Sequence, residues 1–232
     1  MSTSDLRRLM SELTRLAQSM ALAPDETTRL QVTVDSAVSL VDQCHHAGVT
    51  INDKGGLLTR VSSDDVVRRA NELQLELGEG PCLDVMREQD TLVCPDLVQE
   101  PRWPLWAKRV HTELGVGSMM SLLVYDDRHS YGALSLYSRR GGRFDADDVA
   151  VAQALTGHLA VVMAAGREID QLRRAMEGRI TIGRAEGILM ERLGMSPDQA
   201  FSYLRRASMH LNRKVIDVAA GIAETRELPG LQ

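Results

Sequence analysis

Residues able to do chemistry gather in two places. Near the end of the chain, SYLRRASMHLNRK (202–214) sets Arg205, Arg206, Arg213 and Lys214 beside Tyr203, Ser208 and Asn212. Guanidinium and ammonium groups meet phosphates, a hydroxyl or amide reaches phosphate or a base edge, and an aromatic ring stacks on a base. Lys214 is the sharpest candidate, because lysine otherwise occurs only at 54 and 108 while arginine is abundant. The competing reading is a solvated helix surface on which one of the adjacent arginines caps carbonyls. Phe201, the other aromatic residue nearby, reads as core.

The second place is thiol chemistry. Cys44, Cys82 and Cys94 are odd in number and form no CxxC pair, which speaks against a disulfide framework and against zinc. Cys82 lies in GEGPC, a loop after a helix where a thiol can be exposed, and Cys94 follows on an expected strand. Redox sensing is open to both; the alternative is a pair of small buried hydrophobes. His45 and His46 beside Cys44 are not expected to hold a metal, since neighbouring strand residues point to opposite faces. No catalytic constellation is expected.

At 232 residues, 44% hydrophobic and 25% charged, the chain has room for one large domain, or for an ordinary domain plus a small module. It contains no run of about 18 apolar residues and no signal-peptide pattern, so a cytoplasmic protein without membrane contact is expected. The net charge of −5 is unevenly divided. Leu172–Arg226 holds ten arginines and lysines against six acids, a local +4, whereas the rest holds seventeen against twenty-six, or −9. A basic segment on an acidic body points to a module that meets a polyanion, although mixed solubilising charge gives the same count.

The elements that must position these residues follow from periodicity. An amphipathic helix capped by Ser4 carries Leu6, Leu9, Leu13 and Leu16, and a second, entered at Asp25, carries Leu30, Val34, Ala37, Val38 and Val41. HAGVTIND and GLLTRVSS read as a hairpin turning at Lys54 and Gly55. A helix (DDVVRRANELQLEL), a short helix near Leu83–Met86, a strand (TLVCPDL) and a helix ending at Gly115 follow. SMMSLLVYD and YGALSLYSR are then two strands turning at Asp127–Ser130. Hairpin connections among helices give an α+β domain with a largely antiparallel sheet.

From Asp145 the pattern is helical as far as Pro197, with Leu155, Leu159, Val162, Gly166, Ile169, Leu172 and Met176 at spacings of three and four. Unbroken to Leu193, such a helix is roughly 70 Å long and suits a dimerising stalk; the alternative is two helices broken near Gly178. Ser196-Pro197 starts another helix that ends at Asn212. KVIDVAAGIAETREL is the last, stopped by Pro229 and Gly230. Within RAEGILMERLGMS (184–196) an interior glycine costs ~1 kcal/mol against alanine. Ala185 and Gly187 are therefore expected to let a neighbouring helix lie close, with Leu189 and Met190 filling what remains.

With these blocks placed, RITIGRAEGILMERLGMSPDQAFSYLRRASMHLNRKVIDVA closely resembles an ANTAR domain, the RNA-binding module of bacterial transcription antiterminators. The likeness rests on Ala185, Gly187, Leu189 and Met190, the start at Ser196, Ala200, Leu204 to Ala207, and Asn212-Arg213-Lys214 leading to Val218-Ala219. Upstream, HHAGVTIND, LGEGPCLDVM, VCPDLVQEPRWP and LGVGSMMSLLVYDDRHSYGALSLYSRR resemble a GAF domain of the kind joined to ANTAR modules in actinobacteria. The resemblance implies an α+β GAF sheet flanked by helices, a long helical stalk and a C-terminal three-helix bundle. The expected segments are an N-terminal helix at 1–26, the GAF domain at 27–165, the stalk at 145–178 and the ANTAR domain at 172–228.

The function so implied is antitermination by a homodimer that binds RNA hairpins in nascent transcripts under control of the GAF sensor. That sensor's small-molecule ligand and any cofactor are not identifiable from the sequence. Arg205, Arg206, Ser208, Asn212, Arg213, Lys214 and Tyr203 are the expected RNA contacts. Glu186 departs from the lysine or uncharged residue many ANTAR sequences carry there, which weakens any RNA contact on that face. Two rivals remain: a cysteine-dependent redox enzyme, since some GAF folds reduce free methionine sulfoxide, and a dimeric interaction scaffold.

Overall fold

The computed structural model describes residues 3–53, 56–88, 91–126, 130–140, 144–226 and 228. It divides into two units, Met1–Gly166 and Arg167–Gln232. In the first, helices α1 (Thr3–Leu22) and α2 (Glu26–Leu40) pack together. α2 starts where the sequence indicates because Asp25 Oδ1 accepts the backbone N–H of Thr28 at 2.8 Å, satisfying one of the donors a helix start leaves free. α1 already includes Ser4, so that residue is not its cap.

Five strands follow: β1 (His46–Asp53), β2 (Gly56–Ser62), β3 (Leu92–Cys94), β4 (Ser118–Tyr125) and β5 (Ser130–Ser138). They form one antiparallel sheet in the order β2-β1-β5-β4-β3. The turn expected at Lys54-Gly55 lies outside the described residues, as do residues 127–129 of the turn expected at Asp127–Ser130, whose last residue opens β5. β5 approaches β1 so closely that a Cβ on Gly132 would stand 2.0 Å from the Thr50 carbonyl oxygen, at a φ of 150° that other residues rarely adopt.

Strand alternation separates two cores. Met120, Leu122, Val124, Leu134 and Leu136 join Leu30, Val34 and Ala37 of α2 and Leu155 and Leu159 of the following helix. Met119 and Tyr137 face the other way, with Val67 and Leu73 of α3 (Asp65–Leu77) and Trp103, Trp106 and Val110 at α5 (Pro104–Leu114). α4 (Pro81–Glu88) lies between these helices in sequence and packs against β4 and β5. Trp103 and Trp106 meet edge to face at 5.9 Å, and their indole N–H groups donate to Asp84 Oδ2 and to the Ala70 carbonyl.

Beside them, burial opposes ionisation of Glu100, but hydrogen bonds from Arg102 and Cys94 outweigh it and hold the carboxyl down at about 2. A folded-state value below the ordinary 4.5 makes ionised Glu100 favour the fold. That contribution is complete above about pH 4.5 and is lost as the pH falls toward 2. Glu100→Gln will therefore flatten the acid limb of a circular-dichroism stability profile over that window. An unchanged limb contradicts the assignment.

α6 (Ala146–Leu193) is a single helix of 48 residues, continuous at Gly178. Its most apolar window has a mean hydropathy of 1.6, so length and composition alone would let it cross a membrane. In the first part of α6, Val151, Ala152, Leu155, Leu159 and Ala160 are buried in the first core, and Gln153, Thr156 and His158 stand between these apolar residues.

In the second unit the last part of α6 packs with α7 (Pro197–Leu211) and α8 (Val215–Thr225) around Ala185, Leu189, Ala200, Leu204, Val218, Ala219 and Ile222. Three of those seven are alanine, so the helices must approach closely. The last helix stops earlier than expected. Arg226 turns left-handed at φ 58°, its carbonyl accepts a hydrogen bond from Arg192, and Pro229 and Gly230 lie outside the described residues.

The glycine that allows close approach is not Gly187. Nothing lies within 4 Å of a Cβ placed there, and the residue is exposed. Gly178 is the buried one, where a Cβ would stand 3.1 Å from Ile216 Cδ1 of α8. Gly178, Ala185 and Leu189 share the inward face, with spacings of seven and four. Met190 is exposed and does not fill the core.

Candidate nucleic-acid interface

α7 is framed by its own sequence. Ser196 and Gln199 form a reciprocal capping box, with Pro197 at the first helical position. At the other end Asn212 turns left-handed at φ 49°, and its N–H returns to the carbonyls of Met209 and Ser208. The Ser208 hydroxyl donates to the Arg213 carbonyl, and an Arg213 guanidinium N–H reaches the Asp217 carbonyl at 3.3 Å. The turn from α7 to α8 is thus held by its own polar side chains.

Lys214 is the N-cap of α8, and its side chain makes no capping bond. A cation there faces the positive end of the helix dipole and the unsatisfied N–H groups of the first turn, the arrangement that favours an added anion. Asp217, in that first turn, offsets part of the field.

Arg205, Arg206, Asn212, Arg213 and Lys214 are exposed, and Ser208 is half-buried. Arg205 and Arg206 point to different faces of α7 because adjacent helix positions do not share a face. Among the described residues of 167–228 no arginine or lysine is ion-paired, whereas Arg15, Arg60, Arg68, Arg69, Arg87, Arg102 and Arg109 of the first unit all have carboxylate partners. The second unit therefore presents positive charge that its own acids do not neutralise.

Of the two aromatic residues of α7, one departs from its expected place. Tyr203 packs half-buried against the small core, and burial raises its phenol above the ordinary value. Phe201, expected in the core, is 43% exposed, because the inward face of α7 is taken by Ala200 and Leu204. Glu186 is half-buried on α6.

The outward face of α6 in this unit is apolar. Ile169, Leu172, Met176, Ile180, Gly183, Gly187 and Met190 recur at steps of 3, 4, 4, 3, 4 and 3, and the first four are between 47% and 64% exposed. A row of this kind lies on one side of a helix.

The chain matches the GAF domain family over residues 23–164 and the ANTAR domain family over residues 170–222. It belongs to the GAF family and carries an ANTAR domain behind it. The GAF domain of a phosphoenolpyruvate-protein phosphotransferase from Coxiella burnetii is 18% identical, with a TM-score of 0.56 over 70% of this chain and 96% of its own. A free methionine-R-sulfoxide reductase from Neisseria meningitidis, solved with its substrate, is 16% identical, with a TM-score of 0.55 over 73% and 95%. At these identities the likeness is one of fold. Comparison with curated proteins gives no match.

In the GAF domain the three cysteines are free thiols and all are buried. Cys82 is not exposed on a loop; it lies in α4, within 3.2 Å of Ser135 Oγ, and donates to Asn71 Oδ1 at 3.6 Å. Burial pushes the Cys44 and Cys94 thiols up to about 12, away from the reactive thiolate. His46 is committed on both ring nitrogens, to Asp64 and to Arg139, which donates to Nε2 at 3.1 Å. Outside these clusters, a groove of about 640 Å³ runs between β4 and α6, lined by Leu122, Leu123, Tyr125, Gln153, Ala160 and Val161.

Proposed function

We propose that this GAF–ANTAR protein is a homodimeric antitermination regulator whose ANTAR domain binds hairpins in nascent RNA, with the GAF domain as its sensor. The observation that carries the reading is the set of unpaired cations on α7 and at the α7–α8 turn, inside the segment that matches the ANTAR family. Arg205, Arg206, Arg213 and Lys214 meet phosphates, and Ser208 and Asn212 supply polar contacts. RNA of this kind is read through splayed loop bases and backbone contacts, not through the narrow major groove of the duplex.

Dimerisation uses the apolar row Ile169–Met190 on α6, where Gly183 and Gly187 let a second helix come close. This gives the exposed glycine of the AEG run its purpose. The segments 1–26, 27–165, 145–178 and 172–228 act as N-terminal helix, sensor, stalk and RNA-binding output. The protein works in the cytoplasm, where nascent transcripts are made, senses a small molecule in its GAF domain and catalyses no reaction. Burial of all three cysteines, with the Cys94 thiol pushed up to about 12, favours this over thiol chemistry at Cys82 or Cys94.

The test is a gel shift of purified protein with an RNA of two consecutive hairpins, with either hairpin alone, and with a scrambled sequence, at 50 and 200 mM salt. Binding that prefers the double hairpin and weakens with salt is expected. Equal affinity for scrambled RNA reduces the reading to a generic basic surface. No RNA binding at any salt leaves the interaction scaffold, and turnover of methionine sulfoxide restores the enzyme.

A further inference from the structure

We infer that Phe201 is a stacking platform for an unpaired base, at one end of a row that also offers contacts to the backbone and to a neighbouring base of the same RNA. The inference rests on the RNA-binding reading above and adds what the RNA must present there. Phe201, Arg205, Ser208 and Asn212 follow one another at steps of 4, 3 and 4, so they lie along one side of α7. The chain has two phenylalanines; Phe144 is buried in the GAF core, while Phe201 stays 43% exposed on a short helix with hydrophobic neighbours available.

Arg205, one turn on, has no carboxylate partner among the described residues, and the only acid on α7 is Asp198 in its first turn. Asn212 closes the row with a left-handed backbone fixed by Ser208 and Met209, and its side chain makes no hydrogen bond among the described residues. A ring, a guanidinium and a free amide in line suit a base face, a phosphate and a base edge in turn. Paired bases in a duplex already stack on their neighbours and offer no face to a ring, so the ligand is a loop or bulge nucleotide. A protein partner suits the surface less well, because Arg205, one turn from the ring, has no carboxylate partner among the described residues, and Arg206, Arg213 and Lys214 add exposed positive charge on the same helix and its C-terminal turn.

The experiment uses the full chain and a two-hairpin RNA carrying 2-aminopurine at each loop position in turn. Stacking on Phe201 quenches one position in the wild type. Phe201→Ala and Phe201→Leu lose that quenching and weaken binding by roughly five- to 150-fold. Phe201→Trp restores both, and the salt slope of Phe201→Ala stays at the wild-type value because no phosphate contact is lost. Circular-dichroism melts of all three variants match the wild type.

Unchanged affinity and quenching in Phe201→Ala overturn the inference while leaving the RNA reading intact. Phe201→Leu behaving as Phe201→Trp does means a merely apolar contact and overturns it as well. A change in oligomeric mass without a change in RNA affinity assigns the ring to a second copy. Wild-type protein that binds no RNA removes both readings.

Discussion

Leu172→Glu combined with Met176→Glu will convert the protein to a monomer and lower its affinity for a double-hairpin RNA by roughly 10² to 10⁴-fold, while leaving its affinity for one hairpin unchanged. The size of the effect comes from linkage. Two ANTAR domains held together turn the second binding event into an intramolecular one, and separation loses that gain without touching a contact to RNA. Leu172 and Met176 are suited to the test because they are exposed in the single chain and one turn apart on the apolar row. Two glutamates there bury charge only if a second copy covers the face, and an unpaired buried carboxylate is costly.

Glutamate is a good helix former, so α6 itself should persist. Sedimentation analysis with a circular-dichroism melt separates dissociation from unfolding. A variant that remains dimeric places the interface elsewhere. A monomer that binds the double hairpin as tightly as the wild type shows that dimerisation is not part of recognition.

The sequence carried most of the fold because its signals are local. Asp25, Ser196 with Gln199, Gly115 and Asn212 each begin or end a helix through a bond or a backbone angle made within a few residues. Alternation in SMMSLLVYD separated the two cores of the sheet. Local signals do not decide what happens where two helices meet. Periodicity places Gly178, Ala185 and Gly187 all inside one helix, but only the position of α8 decides that Gly178 faces Ile216 and that Gly187 faces outward.

Phe201 departs from its expected place for the same reason. Two aromatic residues two positions apart on a helix point in different directions, and residue type favours the phenylalanine as core. The bundle gives its inward positions to Ala200 and Leu204 instead, leaving Tyr203 at the margin and Phe201 outside. The stop of α8 at Arg226 was equally hidden, because it depends on a carbonyl bonded by Arg192, 34 residues earlier.

Lys214→Asp will move folding stability and RNA affinity in opposite directions. Lysine at the N-cap of α8 supplies no acceptor to the free N–H groups and sets a positive charge against the positive end of the helix. Aspartate there accepts from the first turn and reverses the sign of the interaction, a change that raises helix or protein stability by about 0.5–2 kcal/mol. The same change removes a phosphate contact and adds a repulsion. Affinity for the double hairpin should fall more than tenfold near 150 mM salt, and the slope of log K against log salt should flatten by about one to two. Lys214→Ala, which removes charge without adding a cap, should flatten the slope by about one and leave stability nearly unchanged. If Lys214→Asp melts higher and still binds RNA as the wild type does, the lysine is not part of the interface. If both quantities fall together, the loss of binding reports damage to the bundle. A residue that weakens its own helix and is needed for the ligand is explained by an anion that arrives there on binding, and only the opposed pair of shifts has that signature.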